Sequence, residues 1–139
     1  MKEKKITLNF ISSHLSELDI KDQELIANAK EAFVSAYAPY SGFLVGASIL
    51  LNDGQVINGS NQENVAYPSG LCAERVAMFY VGSKFPDIKI RTIAVSVFSK
   101  SFEVTDVISP CGACRQVMAE YEEKQGQPIK VILHSPNDQ

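Results

Sequence analysis

The sequence predicts a single α/β domain built on a mixed β-sheet. Two observations carry this. The apolar patterns run helix, strand, strand, helix, strand, helix, strand, and helices between consecutive strands favour crossovers in a layered sheet. The first two strands meet at Asn52-Asp53-Gly54, where Asp-Gly supplies the positive φ angles of a tight hairpin, so that pair runs antiparallel. At 139 residues the chain has the size of one domain with one core.

Residues 1–20 read as an N-terminal extension, and residues 21–139 as the domain. Ile6, Leu8 and Phe10 alternate like a short strand until Ser12-Ser13-His14 breaks the pattern, so the segment is open to an edge strand, an extra helix or a loose arm, and His14 reads as a surface residue. From Asp22 to Tyr37 the period is helical, with Leu25, Ile26, Ala29, Phe33 and Ala36 on one face. Asp19 or Asp22 caps its start. Pro39 ends it, because proline disfavours helical backbone in the residue before it.

Phe43 to Leu51 reads as a strand and Gln55 to Gly59 as its hairpin return. Ser60 to Asn64 is too polar for a core, and such loops on a rigid scaffold are where ligand-binding residues concentrate. After Pro68-Ser69-Gly70 a helix is expected over Cys72 to Val81, with Cys72, Val76, Phe79 and Tyr80 on one face. Residues 82–89 read as a loop. Ile90 to Phe98 is a buried strand with Ile93, Val95 and Val97 on one face, and Val104 to Ile108 is a further short strand. Gly112 to Lys124 forms a helix with Val117, Met118 and Tyr121 apolar, and Ile129 to Leu133 is the last strand.

Composition narrows the function classes. No apolar run approaches the ~20 residues of a membrane helix. Met1-Lys2-Glu3-Lys4-Lys5 is basic, but no apolar segment or cleavage site comes after it, so no secretory signal is read and a cytoplasmic location is expected. A net charge of −3 argues against a protein that grips a nucleic-acid backbone. It leaves a single nucleoside open as a ligand.

The chain has three cysteines, an odd number that no closed set of disulfides accommodates. They lie in two motifs 39 residues apart, Cys72-Ala73-Glu74-Arg75 and Pro110-Cys111-Gly112-Ala113-Cys114-Arg115. Each motif opens a predicted helix, where unpaired N–H groups and the helix dipole favour thiolate, the form that binds metal. Zinc takes four ligands in a structural site, and three plus an open position in a catalytic one. Cys72, Cys111 and Cys114 make three, for one Zn²⁺ per chain, and neither histidine has the spacing of a fourth. Glu74, two residues after the first ligand, can reach the open position and move protons for a water there. Three thiolates around Zn²⁺ leave a formal charge of −1. Hydrogen bonds from Arg75 or Arg115 to the sulfurs would offset it. The pattern C-x-E with P-C-x-x-C is the signature of zinc nucleobase deaminases.

Around these motifs the chain resembles the small, three-cysteine, homotetrameric cytidine deaminases. The likeness runs from about Tyr37 to about Leu133. Pro39-Tyr40-Ser41-Gly42-Phe43-Leu44-Val45-Gly46-Ala47 resembles the family's P-Y-S-x-F-x-V-G-A. Asn61-Gln62-Glu63-Asn64 matches N-x-E-N, and Tyr67 the tyrosine beyond it. The resemblance implies a three-layer cytidine-deaminase-like fold, a mixed sheet with helices packed on both faces. It also implies hydrolytic deamination of cytidine and 2′-deoxycytidine to uridine and 2′-deoxyuridine, with release of ammonia, in pyrimidine salvage. Carried over by position, Phe43 stacks on the pyrimidine and Asn61 and Glu63 bind the ribose hydroxyls. The Ala73 N–H holds the pyrimidine carbonyl, Glu74 shuttles protons, and backbone around Ser109-Pro110 accepts from the departing amine. Tyr67 acts near a neighbouring subunit's site, since family sites lie at subunit interfaces of a homotetramer or homodimer. Family members continue past the last strand into an apolar, aromatic tail that helps close the site. This sequence closes on Asn137-Asp138-Gln139, which implies a shortened chain or a different closure.

Three other readings compete. A deaminase of another cytosine-bearing nucleoside, such as blasticidin S, shares fold and metal chemistry, but Asn61 and Glu63 favour a ribose ligand. A nucleic-acid editing deaminase is disfavoured by the acidic balance. A non-catalytic zinc-stabilised interaction module has no need of Glu74.

Overall fold

The computed structural model describes residues 1–136. Asn137, Asp138 and Gln139 lie outside the described residues, and so does the closure of the site expected from the end of the chain. Three α-helices and four strands alternate in the expected order: α1 (Ile20–Ala32), β1 (Phe43–Leu51), β2 (Val56–Ser60), α2 (Ala73–Lys84), β3 (Ile90–Ser99), α3 (Gly112–Gln125) and β4 (Lys130–His134). The sheet order is β2-β1-β3-β4. β1 pairs antiparallel with both β2 and β3, and β3 pairs parallel with β4, so the sheet is mixed. No described helix is long and apolar enough to cross a membrane.

Strand alternation assigns the helices to opposite faces. Ala47, Ile49 and Leu51 of β1, with Ile93 and Val95 of β3, form a buried cluster with Ala73, Ala77, Met78 and Val81 of α2 and Met118 of α3. The other face places Ala94, Leu50 and Ile132 against Leu25, Ile26 and Ala29 of α1. Two glycines let the helix backbones come close. A Cβ on Gly46 would lie 2.0 Å from the Ala29 carbonyl oxygen, and one on Gly59 would lie 2.7 Å from the Ala77 nitrogen.

α1 starts where its cap dictates, with the Asp19 side chain accepting from the Asp22 N–H at 3.0 Å. The buried Asp22 carboxylate pairs with Lys130, tying the first turn of α1 to the start of β4. The helix tightens into a 3₁₀ turn over Phe33–Ser35, so the pattern expected to run to Tyr37 stops short of Pro39.

Of the readings open for the N-terminal segment, Ile6, Leu8 and Phe10 take no regular structure and are exposed. Three sequence expectations need correction. Val104 to Ile108 has no regular structure, and of its apolar residues only Val104 is buried. α2 continues through Lys84, past Gly82, because the Tyr121 phenol lies where a Gly82 side chain would be and donates to the Met78 carbonyl at 2.9 Å. The inward face of α2 is Ala73, Glu74, Ala77, Met78 and Val81, while Phe79 and Tyr80 are about half exposed. Two apolar stripes run along this helix. The one with small alanines won, since it alone lets the backbone settle on Gly59.

Candidate active site

The chemistry gathers where α2 and α3 begin. Cys72 is the N-cap of α2 and Cys111 the N-cap of α3, both with extended backbone, and neither side chain accepts a capping hydrogen bond. A thiol is a poor cap, so both sulfurs are left for another partner. Cys114 sits in the first turn of α3, fully buried. The Cys72 and Cys111 sulfurs lie 3.8 Å apart and those of Cys111 and Cys114 3.5 Å apart. All three lie within 4.8 Å of one another. A tetrahedral zinc with Zn–S bonds of about 2.3 Å spaces its sulfurs about 3.8 Å apart, so the donor set fits zinc. His134 belongs elsewhere, buried in β4 with its Nδ1 3.1 Å from the Ser96 hydroxyl.

The charges suit a metal as well. Arg75 donates from Nη2 to the Cys72 sulfur at 3.6 Å, as expected of it. Cys72 is held at about 5, first by its hydrogen bond with Cys114, then by those with Arg75 and Cys111, against the opposing effect of burial. The Cys114 thiol is pushed up, first by its hydrogen bond to Cys72 and then by burial. The Cys72–Cys114 pair therefore gives up one proton more readily than the other, and a bound metal would displace protons from the thiols. Arg75 Nε is buried without a hydrogen-bond partner. Arg115 is exposed, and among the described residues the guanidinium bonded to a cysteine sulfur is that of Arg75.

Glu74, in the first turn of α2, is 4% exposed. Burial raises its pKa, and the nearby Cys72 charge adds to this, while its own backbone N–H and Arg75 partly oppose it. A carboxyl whose pKa is raised by burial lies closer to the range that suits proton transfer. Ala73, just before it, is fully buried. Its N–H is one of those at the helix start with no partner inside the helix.

The polar stretch before α2 is less loop-like than its composition suggests. Gln62 and Leu71 exchange backbone hydrogen bonds at 2.9 Å, while Tyr37 donates to Asn61 and Glu63 donates to Tyr37. Residues 61–63 are thereby stitched between the end of the α1 segment and the residue preceding Cys72. Asn61 and Glu63, two apart, bracket the start of β1. The Asn61 amide accepts from Val45 N–H at 2.8 Å and donates to the Phe43 carbonyl at 2.9 Å. The Glu63 carboxylate accepts from the N–H groups of Tyr40 and Ser41 and from the Ser41 hydroxyl. Burial alone would raise the Glu63 pKa, but these three donors together bring it below the usual value. Tyr67, in a 3₁₀ turn, is 90% exposed and stands apart from this network.

Sequence reasoning missed two neighbours of Phe43. The Phe102 ring stacks on it at 5.9 Å between centroids, nearly parallel. The Ser41 hydroxyl accepts from the Phe43 N–H at 3.0 Å. Ser41 lies inside the P-Y-S-x-F motif, which was a usable signal, whereas a lone phenylalanine in a polar connection carries none.

The protein-family model for the cytidine and deoxycytidylate deaminase zinc-binding region matches residues 19–126. A cytidine deaminase of Halalkalibacterium halodurans is 44% identical over 98 residues, which cover 70% of this chain and 70% of that protein. A cytidine deaminase of Sporosarcina psychrophila is 44% identical over 102 residues, covering 71% and 68%. The crystal structure of cytidine deaminase from Burkholderia pseudomallei has a TM-score of 0.68 at 42% identity, covering 81% of this chain and 84% of that one.

Proposed function

We propose a function from one premise: this chain belongs to the family of cytidine and deoxycytidylate deaminases. It is a zinc-binding hydrolytic enzyme that converts cytidine and 2′-deoxycytidine to uridine and 2′-deoxyuridine with release of ammonia. The observation that carries this reading is the three-sulfur cluster of Cys72, Cys111 and Cys114 beside the buried Glu74.

Cys72, Cys111 and Cys114 would hold one Zn²⁺. When bound, it supplies Lewis-acid activation of water at neutral pH. Glu74 takes a proton from the attacking water, delivers it to N3 of the pyrimidine, and then carries a proton to the departing amine. Its burial in the first turn of α2, two residues after Cys72, supports that role. Arg75 balances the thiolate charge through Cys72, and Arg115 is assigned the same task from farther out. The Ala73 N–H holds the pyrimidine carbonyl, Phe43 stacks on the ring, and Asn61 and Glu63 meet the ribose hydroxyls. Backbone around Ser109-Pro110 accepts from the leaving amine. Charge and atoms balance as nucleoside plus water giving the uracil nucleoside plus ammonia.

We keep an N-terminal extension before the catalytic domain, with the boundary moved back from residue 20 to Asp19, which caps α1 at Ile20. We assign the protein to pyrimidine salvage in the cytoplasm, without a nucleic-acid or membrane partner. We also assign it to a homotetramer or homodimer in which Tyr67 approaches a neighbouring subunit's site. The exposure of Tyr67 and of Val65, 90% and 85%, supports a further surface covering this edge. Relatives named as cytidine deaminases leave a blasticidin-type substrate or a turnover-free zinc module without support.

The test is to incubate the zinc-replete protein with cytidine, follow the ultraviolet change to uridine, and assay zinc in the same sample. Turnover with about one zinc per chain is expected. Zinc without turnover would sink the cytidine reading.

A further inference from the structure

Ser41 has no role in the reaction as assigned, yet its hydroxyl sits at a junction. Oγ–H donates to Glu63 Oε1, and Oγ accepts from the Phe43 N–H at 3.0 Å. The Ser41 N–H and the Tyr40 N–H converge on the other oxygen, Glu63 Oε2, at 3.3 and 2.9 Å. The carboxylate is thus gripped at both oxygens by one tight turn. Oε2 has two donors and Oε1 only one, so Oε1 keeps the capacity to accept from a ligand hydroxyl.

The local backbone explains why a side chain is needed here. The β1–β2 ladder ends at Gly46 and Ser60. Beyond it the Asn61 amide stands in for the missing strand at Val45 and the Phe43 carbonyl. The remaining Phe43 N–H goes to Ser41. Phe43 is also registered opposite Ser99 of β3. Phe43 is therefore held from several directions, whereas among the described residues the side chain gripping Glu63 is that of Ser41.

We propose that Ser41 is a positioning residue for sugar recognition: its hydroxyl fixes the Glu63 carboxylate so that Oε1 meets a ribose hydroxyl. This rests on the assignment of Glu63 to the ribose. Losing the hydroxyl leaves Phe43 in place and Glu63 Oε2 on the Tyr40 and Ser41 N–H groups, but Oε1 loses its donor and its aim, so the cost falls on the sugar and not on the base. Ser41 is exposed, so its replacement spares the core.

The experiment compares zinc-loaded wild type, Ser41→Ala and Ser41→Thr on cytidine and on 2′,3′-dideoxycytidine, which lacks both ring hydroxyls. For Ser41→Ala, the KM for cytidine should rise about tenfold with kcat within about twofold, and kcat/KM for the dideoxynucleoside should change less than about threefold. Ser41→Thr, which keeps a hydroxyl, should restore the cytidine KM. An equal loss on both nucleosides, or no loss on cytidine, overturns the proposal while cytidine deamination stands. A wild type that does not deaminate cytidine overturns the functional reading and this inference with it.

Discussion

The cysteine cluster and the Asn61–Glu63 segment are joined through the Gln62–Leu71 backbone pair, yet they are built in opposite ways. The three thiols have no other work. Two cap helices without bonding to them, and all three converge on one point. Asn61 and Glu63, by contrast, are committed to their own backbone, at β1 and at the Tyr40–Ser41 turn. A metal site can be assembled by helix starts alone, because each helix fixes the direction of its first residues. A sugar site needs carboxylate and amide groups aimed to within a fraction of an ångström, so extra hydrogen bonds must hold them. The cluster should therefore fail all at once, and the segment by degrees.

The sharpest break is expected at Cys114→Ala, which removes a buried ligand. Zinc content should fall to near zero and turnover become undetectable, measured by metal analysis alongside the cytidine assay. A variant that kept stoichiometric zinc would show that Cys114 is not a ligand. Next comes Glu74→Gln, which keeps size and burial but removes the carboxyl proposed to carry protons. Zinc should stay at about one per chain while kcat drops by a factor on the order of 10²–10⁴. Full activity in this variant would remove Glu74 from the mechanism.

Arg75→Gln should act on the metal more gently. It takes away the guanidinium bonded to Cys72, and zinc affinity measured by competition with a chelator should weaken about 10- to 100-fold. Arg115→Gln in the same assay should do less, since that side chain is exposed. The effect that leaves the metal untouched belongs to the other region. Asn61→Ala removes two side-chain hydrogen bonds to β1 and should cost about 1–3 kcal/mol in urea unfolding, with zinc content unchanged. Loss of zinc in Asn61→Ala would mean that the two regions are not built independently.

The order and type of the elements could be read from the residues because the signals were local. Asp53-Gly54 set the hairpin, and β1 was read with its observed bounds from nine residues of apolar run ended by a turn. Local reading failed where two patterns competed. The α2 helix offers Val76, Phe79 and Tyr80 on one side and Ala73, Ala77 and Val81 on another, and hydrophobicity favours the larger residues. Packing favoured the smaller ones, because Gly59 admits a backbone and not a ring. Val104 to Ile108 is rich in β-branched residues, but among the described residues it joins no sheet, and strand propensity without a partner forms nothing.

The sequence by itself determined the zinc-binding deaminase family and the spacing that gathers Cys72, Cys111 and Cys114, with Glu74 two residues after the first. Their spacing is short, and helix starts translate short spacing directly into direction. It also determined a mixed sheet, through one antiparallel turn and two intervening helices. Only the tertiary structure decided that helices lie on opposite faces through close approach at Gly46 and Gly59, and that Glu74 is buried with a raised pKa. It alone decided that Asn61 and Glu63 are tied to residues 16 to 23 positions away. Those contacts join segments brought together only once the sheet has formed, and no local pattern of residue types encodes such a meeting.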